Sequence, residues 1–323
     1  MDAVTAWSRA HGAGCLGLFA LCVCIAGCLP SKDKLRKNPD FLVIGHRGAP
    51  NVEAENTIDS LVAAIEQGAN AVEVDLCITQ DLQVVVWHDR DPDDPVALAR
   101  QAGLEGLLYV PIVPPSGSPL HRPVDELAAT DFLASYGYSR GGSSPDPDAP
   151  IAMLDDLTSW LESERAARAI YLDIKVAPSQ GARAVLIVDA VRDRLAAGRG
   201  SPATVFFMSP HRDVVTAMRD RVAGLGDPTF RVLWDFEAAG ALRGAEELGL
   251  LDVSTGLTAT RTESGYMDEI DSLVDARKKG RIDSVTAWTF DREMQLGLLL
   301  WRGVDGIMTN EPGRLYELWQ LTL

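Results

Sequence analysis

Cysteine is nearly missing from the body of this 323-residue chain. Four of its five cysteines, Cys15, Cys22, Cys24 and Cys28, fall at the N-terminus, and only Cys77 lies beyond them. One thiol cannot close an internal disulfide, so the folded part is not a disulfide scaffold. Cys77 sits in a strand-like apolar run and reads as a small buried hydrophobe. Positive charge is also short: 30 Lys and Arg face 46 Asp and Glu, for a net charge of −16. A surface of that sign repels polyphosphate backbones, which excludes nucleic acid as a partner. An anionic small molecule would need a local positive centre, such as a bound cation. What is present is ordinary for a globular protein with a sizeable core: 46% hydrophobic and 24% charged residues.

The N-terminus is a separate unit. Arg9 and His11 precede a run from Gly12 to Ser31 without a charged residue, ending Ile25-Ala26-Gly27-Cys28. A basic start, an apolar stretch and a small-residue cleavage site read as an export signal over 1–27. The tetrad also resembles the lipobox of bacterial lipoproteins. The resemblance implies cleavage before Cys28, lipid on that thiol, and a protein held on a membrane of the bacterial cell envelope. The competing reading is a plain transmembrane anchor, for which the run is only just long enough and which Pro30 interrupts. Residues 28–40, polar with clustered Lys and Arg, read as a tether.

From Phe41 onward, short apolar runs alternate with helical patterns. Strand candidates are 41–45, 71–76, 83–87, 169–174, 203–208, 230–235, 285–290 and 306–309, with 251–256 as a possible ninth. Helical periodicity appears near 56–67, 182–196, 211–221, 236–248, 266–279 and 291–301. Alternating strands and helices predict a parallel sheet, and eight units favour an α/β fold closed as a TIM-type (β/α)8 barrel over 41–323. Between His88 and Ile151, stretches dense in Pro and Gly predict an elaborated loop inserted after the third strand, at about 91–150.

The ionisable residues cluster at strand ends. His46 and Arg47 follow the first strand, Glu73 and Asp75 lie two apart on the second, and His88 follows the third. Asp173 and Lys175 are again two apart on the next. Residues two apart on a strand share a face, and strand C-termini converge on a barrel's catalytic mouth. Glu73, Asp75 and Asp173 together suit a hard cation, Mg²⁺ or Ca²⁺. His46 and His88 can move protons near neutral pH. Arg47 and Lys175 can grip phosphoryl oxygens. No Ser, Cys or Thr sits at these strand ends to act as a nucleophile. The set points to metal-assisted phosphoryl transfer.

The motifs His46-Arg47-Gly48, Glu55-Asn56-Thr57, Glu73-Val74-Asp75, His88-Asp89, Leu172-Asp173-Ile174-Lys175, Ala287-Trp288-Thr289 and Gly303 to Pro312 together resemble the glycerophosphodiester phosphodiesterase family, over residues 42 to 316 or so. The resemblance implies hydrolysis of a small glycerophosphodiester to glycerol phosphate and an alcohol, with attack by the substrate's own 2-hydroxyl and a cyclic phosphate. It implies His46 and His88 as the acid–base pair and Glu73, Asp75 and Asp173 as metal ligands. Arg47 and Lys175 would hold the phosphate, Glu55 would support the first strand or the ligands, and Trp288 would wall the pocket. Two departures stand out: Asp173 where relatives commonly carry Glu, and no Arg-Thr-Thr-like stretch after His88. Two other readings compete: a phospholipase D- or C-like enzyme acting on (lyso)phospholipids, and a non-catalytic surface lipoprotein that binds a ligand or host protein.

The N-terminal expectation has a direct test. Cys28→Ser should abolish lipid labelling and release the protein from the membrane fraction. A variant that stays there, fully labelled, overturns it.

Overall fold

The computed structural model describes residues 38–198 and 203–322. The expected signal segment 1–27, Cys28 and the tether as far as Lys37 lie outside the described residues. In chain order the strands are β1 (Leu42–Gly45), β2 (Ala71–Ile78), β3 (Val84–Val86), β4 (Val110–Ile112), β5 (Gly137–Ser139), β6 (Ala169–Ile174), β7 (Thr204–Ser209), β8 (Phe230–Phe236), β9 (Asp252–Gly256), β10 (Ser284–Trp288) and β11 (Gly306–Thr309). Eight of them, β1, β2 and β6 to β11, run parallel, and β11 and β2 both pair with β1, so the sheet closes. Helices Ile58–Glu66, Leu154–Ser163, Gly181–Ala197, Arg212–Ala223, Ala241–Leu248, Glu263–Lys278, Glu293–Arg302 and Pro312–Gln320 surround it. This is the TIM barrel that the alternation predicts.

Strand parity builds both layers. In β2, Val72, Val74 and Leu76 pack outward with the helices, while Ala71 belongs to the barrel interior with Ile44, Tyr171, Phe206, Met208, Leu233 and Met308. Tyr171 and Phe206 stack at 4.6 Å between ring centroids. Because parity alternates, the inward row that holds Ala71 continues upward through Glu73 and Asp75. The rows of β6, β8, β10 and β11 likewise rise to Asp173, Asp235, Trp288 and Asn310. Apolar side chains thus fill the barrel, and polar ones crown it.

One strand was misplaced by sequence. Residues 84–86 are not a barrel strand; β3 pairs antiparallel with the upper end of β2, Leu76 opposite Val86 and Ile78 opposite Val84. The eighth barrel place belongs to β9, between β8 and β10. The sequence offers 251–256 only as a possible ninth strand because its inward positions Asp252, Ser254 and Gly256 carry no aliphatic side chain. The antiparallel return has a consequence for chemistry. β2 overshoots the rim, turns, and comes back until Trp87 N donates to Asp75 O at 2.9 Å. His88 is therefore delivered to the mouth from above.

The insertion carries more structure than its Pro and Gly content suggests. It holds helices Pro95–Gln101 and Ala129–Ser135 and the antiparallel pair β4–β5. A satellite core of Trp87, Phe132, Tyr136, Tyr138, Val124 and Leu127 welds it to β2 and β3 through Cys77 and Val85. Cys77 is buried, as expected. His121, which belongs to none of the motifs, is tucked in: its Nδ1 meets Pro114 O at 2.6 Å and its Nε2 meets Asp93 at 2.9 Å. His211, likewise outside the motifs, is half-buried.

Phe132 is fully buried, 5.7 Å from the Trp87 ring and 4.8 Å from that of Tyr136. Phe132→Ala should cost about 3–5 kcal/mol in chemical denaturation, as buried Phe truncations do. It should also open 91–150 to proteolysis. A loss under about 1 kcal/mol would show that the insertion does not share the barrel's stability.

Candidate active site

The His-Arg-Gly turn after β1 is built under steric constraint. Arg47 takes a left-handed backbone, φ 56°, and Gly48 follows at φ 89°. A Cβ on Gly48 would come within 2.6 Å of the Ser60 backbone, so only glycine fits. The turn aims the Arg47 backbone N at Glu73 Oε2, 2.9 Å away. Its guanidinium donates to Glu55 Oε2 at 2.9 Å and pairs with Asp75 at 3.2 Å. The Glu55-Asn56-Thr57 motif divides its labour. Glu55 holds Arg47, and Thr57 caps helix Ile58–Glu66 by accepting from Ser60 N at 3.2 Å. Asn56, itself at φ 58°, clamps Asp75 by donating to Oδ2 at 2.8 Å and accepting from its N at 3.0 Å.

Register then assembles the acids. Asp75 and Asp173 are paired residues across β2 and β6, and Glu73 sits two residues lower on the same face. Carboxylate oxygens of all three lie within 4.8 Å of one another, and each residue is at most 5% exposed. Lys175 Nζ reaches Asp173 at 2.5 Å and Asp75 at 3.1 Å. Burial alone would raise Asp75, but Lys175, Arg47 and Asn56 pull it down to about 2, so it is ionised. Glu73 is pushed well up by burial and by the charge of Asp75. Asp173 is raised by burial against the opposing pull of Lys175, and its Oδ1 is buried without a hydrogen-bond partner. Two carboxylates short of positive charge, one orphaned oxygen and an all-oxygen donor set fit a divalent cation.

The histidines stand on opposite supports. His46 Nδ1 lies 2.8 Å from Asn310 Oδ1. The Asn310 amide is oriented by Asp291, which accepts from its Nδ2 at 2.9 Å and its backbone N at 2.8 Å. Burial, then the charge of Arg47, lowers His46 to about 4. His88 Nδ1 lies 2.6 Å from Asp89 Oδ1. Burial and the cations Arg47, Lys175 and Arg100 hold His88 well below its ordinary value.

One cavity of about 350 Å³ is lined by His46, Arg47, Glu73, Asp75, His88, Asp173, Lys175 and Trp288, so every strand-end residue expected at the mouth is there. Glu55 does not line it and stands behind Arg47. Trp288 both packs in the barrel interior and walls the cavity; its ring lies where a Cβ on Gly256 would come within 2.6 Å. The sequence reading missed Arg100, Glu105, Asp235 and Asp291, and gave no role to Asn56, Asp89 or Asn310 although they stand in its motifs. Asp235, with its Oδ1 on Ser254 at 2.7 Å, is raised by burial and Asp173 to about 8.

Comparison with known proteins adds a family. Residues 46–314 match the model of the glycerophosphoryl diester phosphodiesterase family. A glycerophosphodiester phosphodiesterase of Caldanaerobacter subterraneus is 44% identical over 284 residues, covering 86% of this chain and 97% of the relative. Relatives from Caenorhabditis elegans and Macaca fascicularis match over shorter segments, and the matches span 18% and 11% of their lengths. Among solved structures, a protein of Silicibacter pomeroyi assigned as a glycerophosphoryl diester phosphodiesterase superposes with a TM-score of 0.66 at 20% identity, covering 89% of this chain and 96% of that one. An Oleispira antarctica phosphodiesterase in complex with its product sn-glycerol-3-phosphate gives 0.59 at 16% identity, covering 85% and 95%. At those identities the superpositions speak for the fold.

The acid cluster predicts a selective lesion. Asp173→Asn should weaken Mg²⁺ or Ca²⁺ binding at least about tenfold by calorimetry while the melting temperature stays near wild type. Asp173→Glu should retain binding. Equal affinity in wild type and the Asn variant would sink the assignment.

Proposed function

We propose that this chain hydrolyses glycerophosphodiesters to glycerol phosphate and an alcohol, from the premise that it belongs to the glycerophosphoryl diester phosphodiesterase family. The observation that carries the reading is the convergence of Glu73, Asp75 and Asp173 with His46, His88, Arg47 and Lys175 in one cavity. The product found in the Oleispira structure is of the class proposed here.

Glu73, Asp75 and Asp173 would hold a divalent cation, Mg²⁺ or Ca²⁺, which when bound supplies positive charge against the phosphoryl oxygens. Arg47 and Lys175 bind the phosphodiester from the protein side. The Nε of Arg47 pairs with Asp75 at 3.2 Å but makes no aligned hydrogen bond, so a donor is available. Asn310 dictates the protonation of His46. With its amide N held on Asp291, its Oδ1 accepts from His46 Nδ1–H, which leaves the lone pair on Nε2. An unprotonated Nε2 in the neutral range is a general base.

His46 then takes the proton of the substrate's glycerol 2-hydroxyl as that oxygen attacks phosphorus. The bond from phosphorus to the headgroup oxygen breaks, and His88 donates the proton that the leaving alcohol needs. Asp89, on Nδ1 of His88, stabilises the charged ring. The negative charge of the phosphodiester opposes the cations that lower His88 and favours its protonated form. Water opens the cyclic phosphate with the two histidines in exchanged roles. The Ile25 to Cys28 tetrad supports placing this activity on a membrane surface of the cell envelope through lipid on Cys28.

A 2-deoxy analogue should bind yet turn over very slowly, because internal attack gains an effective molarity on the order of 10⁵ M or more. His46→Ala and His88→Ala should each lower turnover by at least about 10²-fold, and a cyclic glycerol phosphate should be trapped at early times. Normal hydrolysis of the 2-deoxy analogue rules out the internal route. No hydrolysis of any glycerophosphodiester, with Mg²⁺ or Ca²⁺ supplied, rules out the function.

A further inference from the structure

We propose that the 91–150 insertion is part of the catalytic apparatus, with Arg100 as a positioning residue that acts on His88 through Asp89. The inference rests on the reading of His88 as the group that protonates the leaving alcohol.

Arg100 stands on helix Pro95–Gln101, inside the insertion, and is only 2% exposed. Each guanidinium nitrogen is committed to a carboxylate. Nε donates to both oxygens of Asp89, at 2.9 and 3.1 Å. Nη1 donates to Glu105 Oε2 at 2.5 Å, and Nη2 donates to Glu55 Oε1. Two of these three partners are the residues that hold the chemistry: Asp89 carries His88, and Glu55 carries Arg47. Asp89 Oδ1 is shared between Arg100 Nε and His88 Nδ1, so the plane of the guanidinium sets the plane of the carboxylate, which sets the imidazole.

The arrangement exceeds what charge neutralisation requires. A buried Asp89 could be satisfied by any cation, but only a planar fork can bind its two oxygens through one nitrogen while reaching two further acids. An ionised Asp89 is also needed for His88 to keep its proton on Nδ1 and present Nε2 to the substrate. Burial favours the protonated acid, and Arg100 is the cation that opposes it most directly. If Asp89 took up a proton, it would donate to Nδ1 and reverse the tautomer of the ring. Helix Pro95–Gln101 is itself anchored: Asp94 caps it by accepting from Val96 N at 2.9 Å, and Gln101 donates to Pro92 O at 2.8 Å. The insertion thus presents Arg100 from a capped helix rather than from an irregular loop.

Arg100→Lys keeps the charge and loses the fork. It should lower kcat by about 10- to 100-fold, within the range of one acid–base group, while KM for the same glycerophosphodiester changes less than about threefold. Asp89→Asn should do the same. The double variant should be no slower than the worse single one, because both act along one path. An additive double variant, or Arg100→Lys at wild-type kcat with active wild type, overturns the inference and leaves the function standing. A second readout needs no turnover. In ¹⁵N-histidine-labelled wild type, with His88→Gln used for assignment, the shifts should place the proton of neutral His88 on Nδ1. A proton on Nε2 overturns the inference even if Arg100→Lys fails to fold. An inactive wild type with the Nδ1 tautomer condemns the functional reading alone.

Discussion

Burying like charges side by side is the constraint on which this structure turns. Asp75 and Asp173 are in register on adjacent strands and Glu73 is two residues below, so three acids share one buried corner of the barrel. Unpaired, such a cluster would be very costly to bury. Each neighbouring feature offsets part of that cost. Lys175 lies between the two aspartates, Arg47 reaches Asp75, the Arg47 backbone N serves Glu73, and Asn56 grips Asp75 from both sides. The left-handed conformations of Arg47 and Asn56 are the local strain that this arrangement requires.

A second ring of partners surrounds the first. Arg47 is balanced by Glu55, Glu55 by Arg100, and Arg100 by Asp89 and Glu105. Asp89 ends the chain on His88 and Asp291 ends the corresponding one on His46 by way of Asn310. The two histidines are therefore tied to opposite kinds of group, one to a carboxylate and one to a neutral amide. In the proposed mechanism this difference distinguishes the acid from the base.

Much of this was legible in the sequence, for a physical reason. A pair such as Glu73 and Asp75, set among Val72, Val74 and Leu76, can only be an inward polar row at the end of a buried strand. Lys175 two residues after Asp173 has the same signature. What escaped were contacts made by folding back. Whether 84–86 runs parallel or antiparallel is not written in an apolar run, and 251–256 reads only as a possible ninth strand because its inward residues are not aliphatic. Arg100 lies eleven positions beyond Asp89 on a short helix among Pro-rich segments, where no periodicity links it to a barrel strand. Asn310 could have been found: an amide at the end of a strand's inward row, beside the histidine end of β1, invites a tautomer-setting bond.

The electrostatics of the cavity also bear on the proposed cation. Its lining has Arg47 and Lys175 against Glu73, Asp75, Glu105, Asp173, Asp235, Glu237 and Asp291. Burial pushes Asp235 up to about 8, and Glu73 and Asp173 are likewise raised, yet two cations still face four other acids. Both cations are already engaged with those acids. A phosphodiester anion entering this pocket, on a chain of net charge −16, meets a negative field. The protein's own arginine and lysine cannot reverse it. Two further positive charges at the Glu73–Asp75–Asp173 corner would pair with the raised carboxylates and the orphaned Asp173 oxygen, and would release Arg47 and Lys175 toward the phosphate. On this accounting a divalent cation held by these acids would make the pocket able to receive an anion before contributing anything to the chemistry.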